Sequence, residues 1–295
     1  MANPIVTSLP AYVDESREQL IAKATLGAKS ATLFNIMSGV KGKTDLHLLS
    51  TDVVFQDGST CGFNPEGTQE ISRRTVEPKI MKVNMTYCPK NLLNTYASHM
   101  VQIKAGIKDL PYEEAFTNDI LAHVNEKMES LMWNGDSSDG VSFDGILTIA
   151  GKDSSVQTLT RGASVYEDVK AVYLAAKEEI VSKDDFVICL GLGDFRALVQ
   201  ELVAANLYHY EATDSTGEIR LFGTNTRIIG LNGLNGTNAI VGVRLSNLYY
   251  AVDLTDGQEK FAMWYSQDDD LIKLAIEWLA GVQYAYGDEI VIAKK

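Results

Sequence analysis

The sequence predicts an α+β protein whose helices and strands are interleaved, with an elongated hairpin standing off the body. Three observations carry this. Phe116, Ile120, Val124, Met128 and Met132 recur at four-residue steps through one long helical segment, with polar residues on the other faces. Ile272, Leu274, Ile276, Trp278, Ala280, Val282, Tyr284 and Tyr286 occupy every second position, the period of a strand. Between them in kind, residues 45 to 87 switch to extended, turn-rich sequence ending in the alternation Met81, Val83, Met85, Tyr87.

In chain order, residues 1 to 44 form an N-terminal arm. After a proline-punctuated start, Asp14 is expected to cap a helix running to about Met37, with Leu20, Ala24, Ala28, Ala31 and Phe34 along one side. So thin an apolar stripe cannot hold a lone helix, so this arm is expected to lie on another surface. Residues 45 to 89 read as a long hairpin arm. Its apolar residues Val53, Val54, Phe55, Phe63 and Ile71 cannot all be buried in a two-stranded ribbon, and a partner chain is the expected cover. Leu20, Phe34 and these five are therefore the candidate inter-subunit contacts.

Residues 90 to 155 follow as a unit, helical over 91 to 104 and again over 113 to 134, where Gly135 is expected to close the helix at its C′ position. At 1.5 Å per residue the second helix is roughly 30 Å long, enough to span a domain. Residues 156 to 256 hold a helix from about Tyr166 to Val181, a strand from Phe186 to Leu190 and a helix from about Asp194 to Ala205. Four strand-like pieces follow at 219–222, 226–231, 239–243 and 248–254, so an α/β layer is expected here. Residues 257 to 295 return as the alternating strand and a short strand from Glu289 to Ala293.

Composition excludes several functions. No run approaches the roughly 20 apolar residues of a membrane span, and the start lacks a basic then apolar leader, so neither membrane nor secretion is expected. A net charge of −13 disfavours wrapping of nucleic-acid phosphates. In residues 1 to 43, Arg17, Lys23, Lys29, Lys41 and Lys43 outnumber Asp14, Glu15 and Glu18, too slight an excess to identify a partner. Cys61, Cys88 and Cys189, odd in number and widely spaced, form neither a disulfide framework nor a zinc site and fit a reducing cytoplasm.

Motifs that could carry chemistry fail on detail. Residues 37 to 44 place Gly42, Lys43 and Thr44 as in a phosphate-binding loop, but Met37 stands where the first glycine should be. GLGDFR at 191 to 196 follows a strand and opens a helix, yet Arg196 replaces the third glycine, and the acidic residue would be Glu211 or Asp214; a tight turn capped by Asp194 is the better reading. His47, His99, His123 and His209 show no metal-ligand spacing, and His123 is expected to be partly buried beside the helical stripe. Asp268, Asp269 and Asp270 read as a solvated turn. No catalytic residue, metal ligand or cofactor site is expected.

The stretch NEKMESLMWNGDSSDGVSFDGIL, residues 125 to 147, resembles the end of the long spine helix of tailed-phage major capsid proteins. There the helix ends at a Gly-Asp turn, here Gly135 and Asp136, and a short loop enters a strand, here at Gly145, Ile146 and Leu147. Residues 221 to 231 and 279 to 293 are similar to later strands of that family, and the order of parts matches over nearly the whole chain. The resemblance implies the phage major capsid fold: arm, hairpin (the E-loop), peripheral domain with spine helix, axial domain, returning strands. It further implies a non-enzymatic subunit forming hexamers and pentamers of an icosahedral shell around double-stranded DNA, located in the virion capsid and assembled in the host cytoplasm. A separate scaffolding protein, a portal and decoration proteins are the partners it implies, with DNA touched weakly and without sequence preference. Some relatives crosslink Lys to Asn, for which Lys79, Lys82 and Asn64 are available near the hairpin. An encapsulin-like nanocompartment shell is the alternative.

Overall fold

The computed structural model describes residues 4–59, 62–63, 65–104, 111–207, 218–221, 223–253 and 260–295. The expected positions Cys61, Asn64, His209, Glu211, Asp214 and the strand ends at 222 and 254 lie outside them.

The N-terminal segment is three short helices and a strand: α1 (Pro4–Glu15), α2 (Arg17–Leu26), α3 (Lys29–Leu33) and β1 (Asn35–Ser38). This corrects the single helix expected from Asp14 to Met37. Asp14 lies inside α1 and caps nothing; the chain breaks at Ser16, whose φ of −102° and ψ of 10° leave the helical region. The overlooked signal was Ile5, Leu9 and Val13, a four-residue repeat that buries completely. Pro4 fits the first helical position, where its missing N–H costs nothing.

Next come β2 (Thr44–Asp52) and β3 (Thr68–Val76), paired antiparallel from Thr44 opposite Val76 to Asp52 opposite Thr68. They form a sheet of their own. β4 (Lys79–Tyr87), α4 (Pro89–Lys104) and α5 (Tyr112–Asn134) follow. Where a strand was expected after Gly145, Ile146–Lys152 is a helix, α6: Ile146 and Ala150, one helical turn apart, are both buried.

The rest of the chain is β5 (Gln157–Thr160), α7 (Val165–Ala175), α8 (Glu178–Val181), β6 (Phe186–Gly191), α9 (Leu192–Ala204), β7 (Glu218–Arg220), β8 (Arg227–Leu231), β9 (Ala239–Arg244), β10 (Leu248–Val252), β11 (Lys260–Ser266), β12 (Leu271–Tyr284) and β13 (Val291–Lys294). Every residue of β6 is buried, as a central strand covered on both faces requires. β1, β5, β11 and α6 were not anticipated. β12 ends at Tyr284, two residues short of the alternation, because Ala285 and Tyr286 donate their N–H groups to Asn247 instead.

Two larger sheets organise the core. The order β1-β10-β12-β11, with β4 on the free side of β12, makes the first; β5-β13-β9-β6-β8-β7 makes the second. The expected boundaries are crossed in four places, the first being β1, which belongs to the 1–44 arm and joins the first sheet beside β10. β4, assigned to the hairpin, and β10, assigned to residues 156–256, both join the first sheet, whereas β13 leaves the returning strands for the second. The long strand β12 dictates this, since its alternation continues past the end of β4 and needs β10 as a second partner.

Candidate assembly surfaces

Helix α5 is the beam on which the other parts are hung. Ile120, Val124, Met128 and Met132 are buried and Phe116 is half-buried. His123, expected to be partly buried, is exposed and stands 3.7 Å from Glu126, whereas His99 is buried, edge-on to Tyr112 at 5.5 Å.

The beam ends by close approach of two glycines. Gly135 has φ −53° and needs no left-handed backbone; a Cβ there would lie 2.2 Å from the Phe143 carbonyl oxygen. A Cβ on Gly145 would lie 2.6 Å from the Gly135 nitrogen, and the Gly145 N–H donates to the Gly135 carbonyl at 2.9 Å. Asp136 starts the following turn by accepting from the Ser138 N–H at 2.9 Å. Asp144 accepts from the Ser137 N–H at 2.6 Å and from Lys152 at 2.7 Å. Burial pushes its carboxyl up, but those two donors outweigh this and hold it at about 2.

The N-terminal segment is clamped to α5 by a buried polar network that the sequence did not disclose. The Ser30 N–H and hydroxyl donate to the Glu129 carboxylate at 2.7 and 2.6 Å, and the Trp133 indole N–H donates to Ser30 Oγ at 2.7 Å. Phe34 packs edge-on to Trp133 at 5.7 Å. Leu20 and Phe34 are 1% and 5% exposed. These two were expected to meet neighbouring subunits and are instead core residues of their own chain, because the arm folds back on the first sheet and α5.

The hairpin behaves differently at its two ends. At the root, Val76, Val40 and Ala251 form a small buried cluster, and Arg74 is held at 2.6 Å from Asp153 and 4.6 Å over the Tyr284 ring. Burial raises the Asp153 carboxyl, but the Ser155 hydroxyl and N–H, Arg74 and Tyr284 together bring it well below the usual carboxylate range. At the tip nothing covers the apolar side chains among the described residues. Phe55 and Phe63 are 96% and 94% exposed, and Val53, Val54, Leu49 and Ile71 are exposed with them. Fully exposing two phenylalanines forgoes roughly 1.5–3 kcal/mol each, a cost that points to a cover from outside the chain.

The motif-like segments are structural. Residues 35–38 are strand β1, and Lys43 pairs with Glu77; no helix follows to receive a phosphate. Gly191 lets the backbone pass Leu234, whose carbonyl oxygen would be 2.8 Å from a Cβ, and the Leu192 N–H donates to the Asn235 side chain at 2.7 Å. Asp194, expected as a cap, lies within α9 and binds Arg161 at 2.8 Å beside Asp168. Cys189 is buried, which pushes its thiol up to about 12. Asp269 pairs with Lys273 and Asp270 accepts from the Tyr265 hydroxyl.

The architecture is a root-clamped ribbon, a long helix on one sheet and a second α/β layer. Among solved structures, the satellite phage P4 procapsid including size determination (Sid) protein contains a chain that superposes with a TM-score of 0.65, at 12% identity over 100% of this chain and 98% of that one. The capsid of the empty GTA particle gives 0.60 at 12% identity, over 92% and 89%. A virus-like particle from Pyrococcus furiosus gives 0.56 at 11%, over 96% and 99%. No protein-family model and no curated protein matches. At these identities the shared property is the fold, and the chain has the fold of phage major capsid proteins.

Proposed function

We propose that this chain is a major capsid protein, the repeating structural subunit of a tailed-phage head, and not an enzyme. The exposed apolar tip of a ribbon clamped only at its root carries the reading. Copies of the same chain are the natural cover, as hexamers and pentamers closing into an icosahedral shell around double-stranded DNA. Val53, Val54, Phe55, Phe63 and Ile71 are the residues we assign to contacts between subunits. In this reading a scaffolding protein, a portal and decoration proteins act as assembly partners in the host cytoplasm, and the finished subunit resides in the virion.

A nanocompartment shell is the second reading, favoured by the virus-like particle that aligns over 96% of this chain. Its TM-score, 0.56 against 0.65 for the P4 procapsid chain, gives it no better support than the phage reading. Negative-stain electron microscopy and analytical ultracentrifugation of the purified chain test the proposal. Capsomers, tubes or closed particles are expected; a monomer that persists at high concentration would falsify it.

A further inference from the structure

Between helix α5 and strand β4 lies an apolar groove of about 360 Å³, at the small end of the roughly 300–1,000 Å³ that small-molecule sites occupy. Alternate residues of β4 from Met81 to Tyr87 form one side, and α5 from Phe116 to Leu131 forms the other. Met81, Met85 and Met128 lie along it, flexible side chains that adapt to the outline of an apolar ligand. The two ends differ in charge. At one end the Tyr87 and Phe116 rings meet at 5.0 Å, and burial, followed by the carboxylate of Asp119, pushes the Tyr87 hydroxyl up. Lys127 is eleven residues further along α5, about 16 Å, and Met81 six residues back along β4, about 20 Å, so both mark the opposite end.

Trp278 lines the groove at that opposite end, as the partner of Met81 in the register of β4 with β12. It is 3% exposed, and its indole N–H has no acceptor among the described residues. A buried donor left without an acceptor is a standing cost that a ligand oxygen removes. Lys127 on the rim is exposed and has no ion pair among the described residues. A hydrogen-bond donor and a cation at the head of an apolar trough are the parts of a site for a linear anionic amphiphile. We propose that the groove binds a single-chain fatty acid. Its carboxylate accepts from the Trp278 indole N–H and pairs with Lys127, and its alkyl chain runs between β4 and α5 toward Tyr87. The reverse orientation is disfavoured, because it sets the carboxylate beside Asp119 and leaves Trp278 unpaired.

Isothermal titration calorimetry of sodium dodecanoate into the full, unassembled chain, below the critical micelle concentration, tests this. One site per chain is expected. Octanoate, four methylenes shorter, should bind at least about tenfold more weakly, since each buried methylene is worth roughly fourfold in affinity. Lys127→Glu should weaken dodecanoate severalfold, whereas Lys104→Glu, at another exposed lysine, should leave it unchanged. Trp278→Phe keeps an aromatic ring in place, removes the donor and should also weaken it severalfold; if that variant fails to fold, the exposed Lys127 position still decides. Several equivalent sites, equal affinity for the dodecyltrimethylammonium cation, or unchanged affinity in Lys127→Glu overturns the proposal. Absence of binding overturns it in favour of a polypeptide occupant. Particle formation is read separately in the electron microscope, so none of these outcomes bears on the capsid reading.

Discussion

Gly145 shows how a single missing Cβ can fix the end of a helix. Because its neighbours at 2.6–2.7 Å are backbone atoms of residues 133 to 135, an alanine there cannot be accommodated by a rotamer change. Gly145→Ala is expected to cost about 1–3 kcal/mol, read as a lowered midpoint in urea. Glu129 is the second such residue. Glu129→Ala removes the acceptor of both Ser30 donors in a buried site and should cost about 1–3 kcal/mol for each donor left unpaired. Asp144 makes stability depend on acidity. Its folded carboxyl titrates at about 2, below the ordinary value of about 3.9, so its contribution is complete above pH 4 and is lost as pH falls toward 2. Asp144→Asn should flatten the fall in thermal midpoint between pH 4 and pH 2, measured by calorimetry.

At the scale of elements, the hairpin and the N-terminal segment looked alike in sequence and fold differently. Both carry apolar residues that a lone element cannot bury. The segment's small side chains, Ala24, Ala28 and Ala31, let it lie flat on α5, and Gly27 permits the contact, since a Cβ there would be 2.2 Å from the Asn125 amide. The ribbon has no such surface in reach beyond its root. Replacing residues 53–67 by Asn-Gly, which suits a two-residue hairpin turn, should therefore leave the melting temperature within a few degrees of the parent. Particle formation, followed by light scattering, should be abolished. A large loss of circular dichroism would show instead that the tip supports the fold.

At the scale of the whole molecule, the two large sheets share strands from distant parts of the chain, and α5 bridges them through Asn134, whose side-chain amide donates to the Gly233 carbonyl at 2.9 Å. The two sheets are thus joined through α5, and the ribbon is attached to them at its root. Separately folded halves are not expected: a chain cut in the 254–259 connection should unfold in one transition with the parent when its pieces remain associated, since β12 is central to the first sheet and β13 pairs in the second. Differential scanning calorimetry of the nicked protein, showing one peak or two, decides this.

The sequence alone determined what local periodicity can encode: the stripe of α5, the alternation of β12, the exposed apolar load of residues 53 to 71, and the absence of a complete catalytic motif. Periodicity names the face an element buries but not the partner that covers it. Only the tertiary structure decided that Leu20 and Phe34 face inward, that β4 and β10 join β12, and that Ser30 and Glu129 bond across 99 residues of chain. Such partners are fixed by three-dimensional closure of the backbone, a long-range condition for which a short run of residues carries no signature.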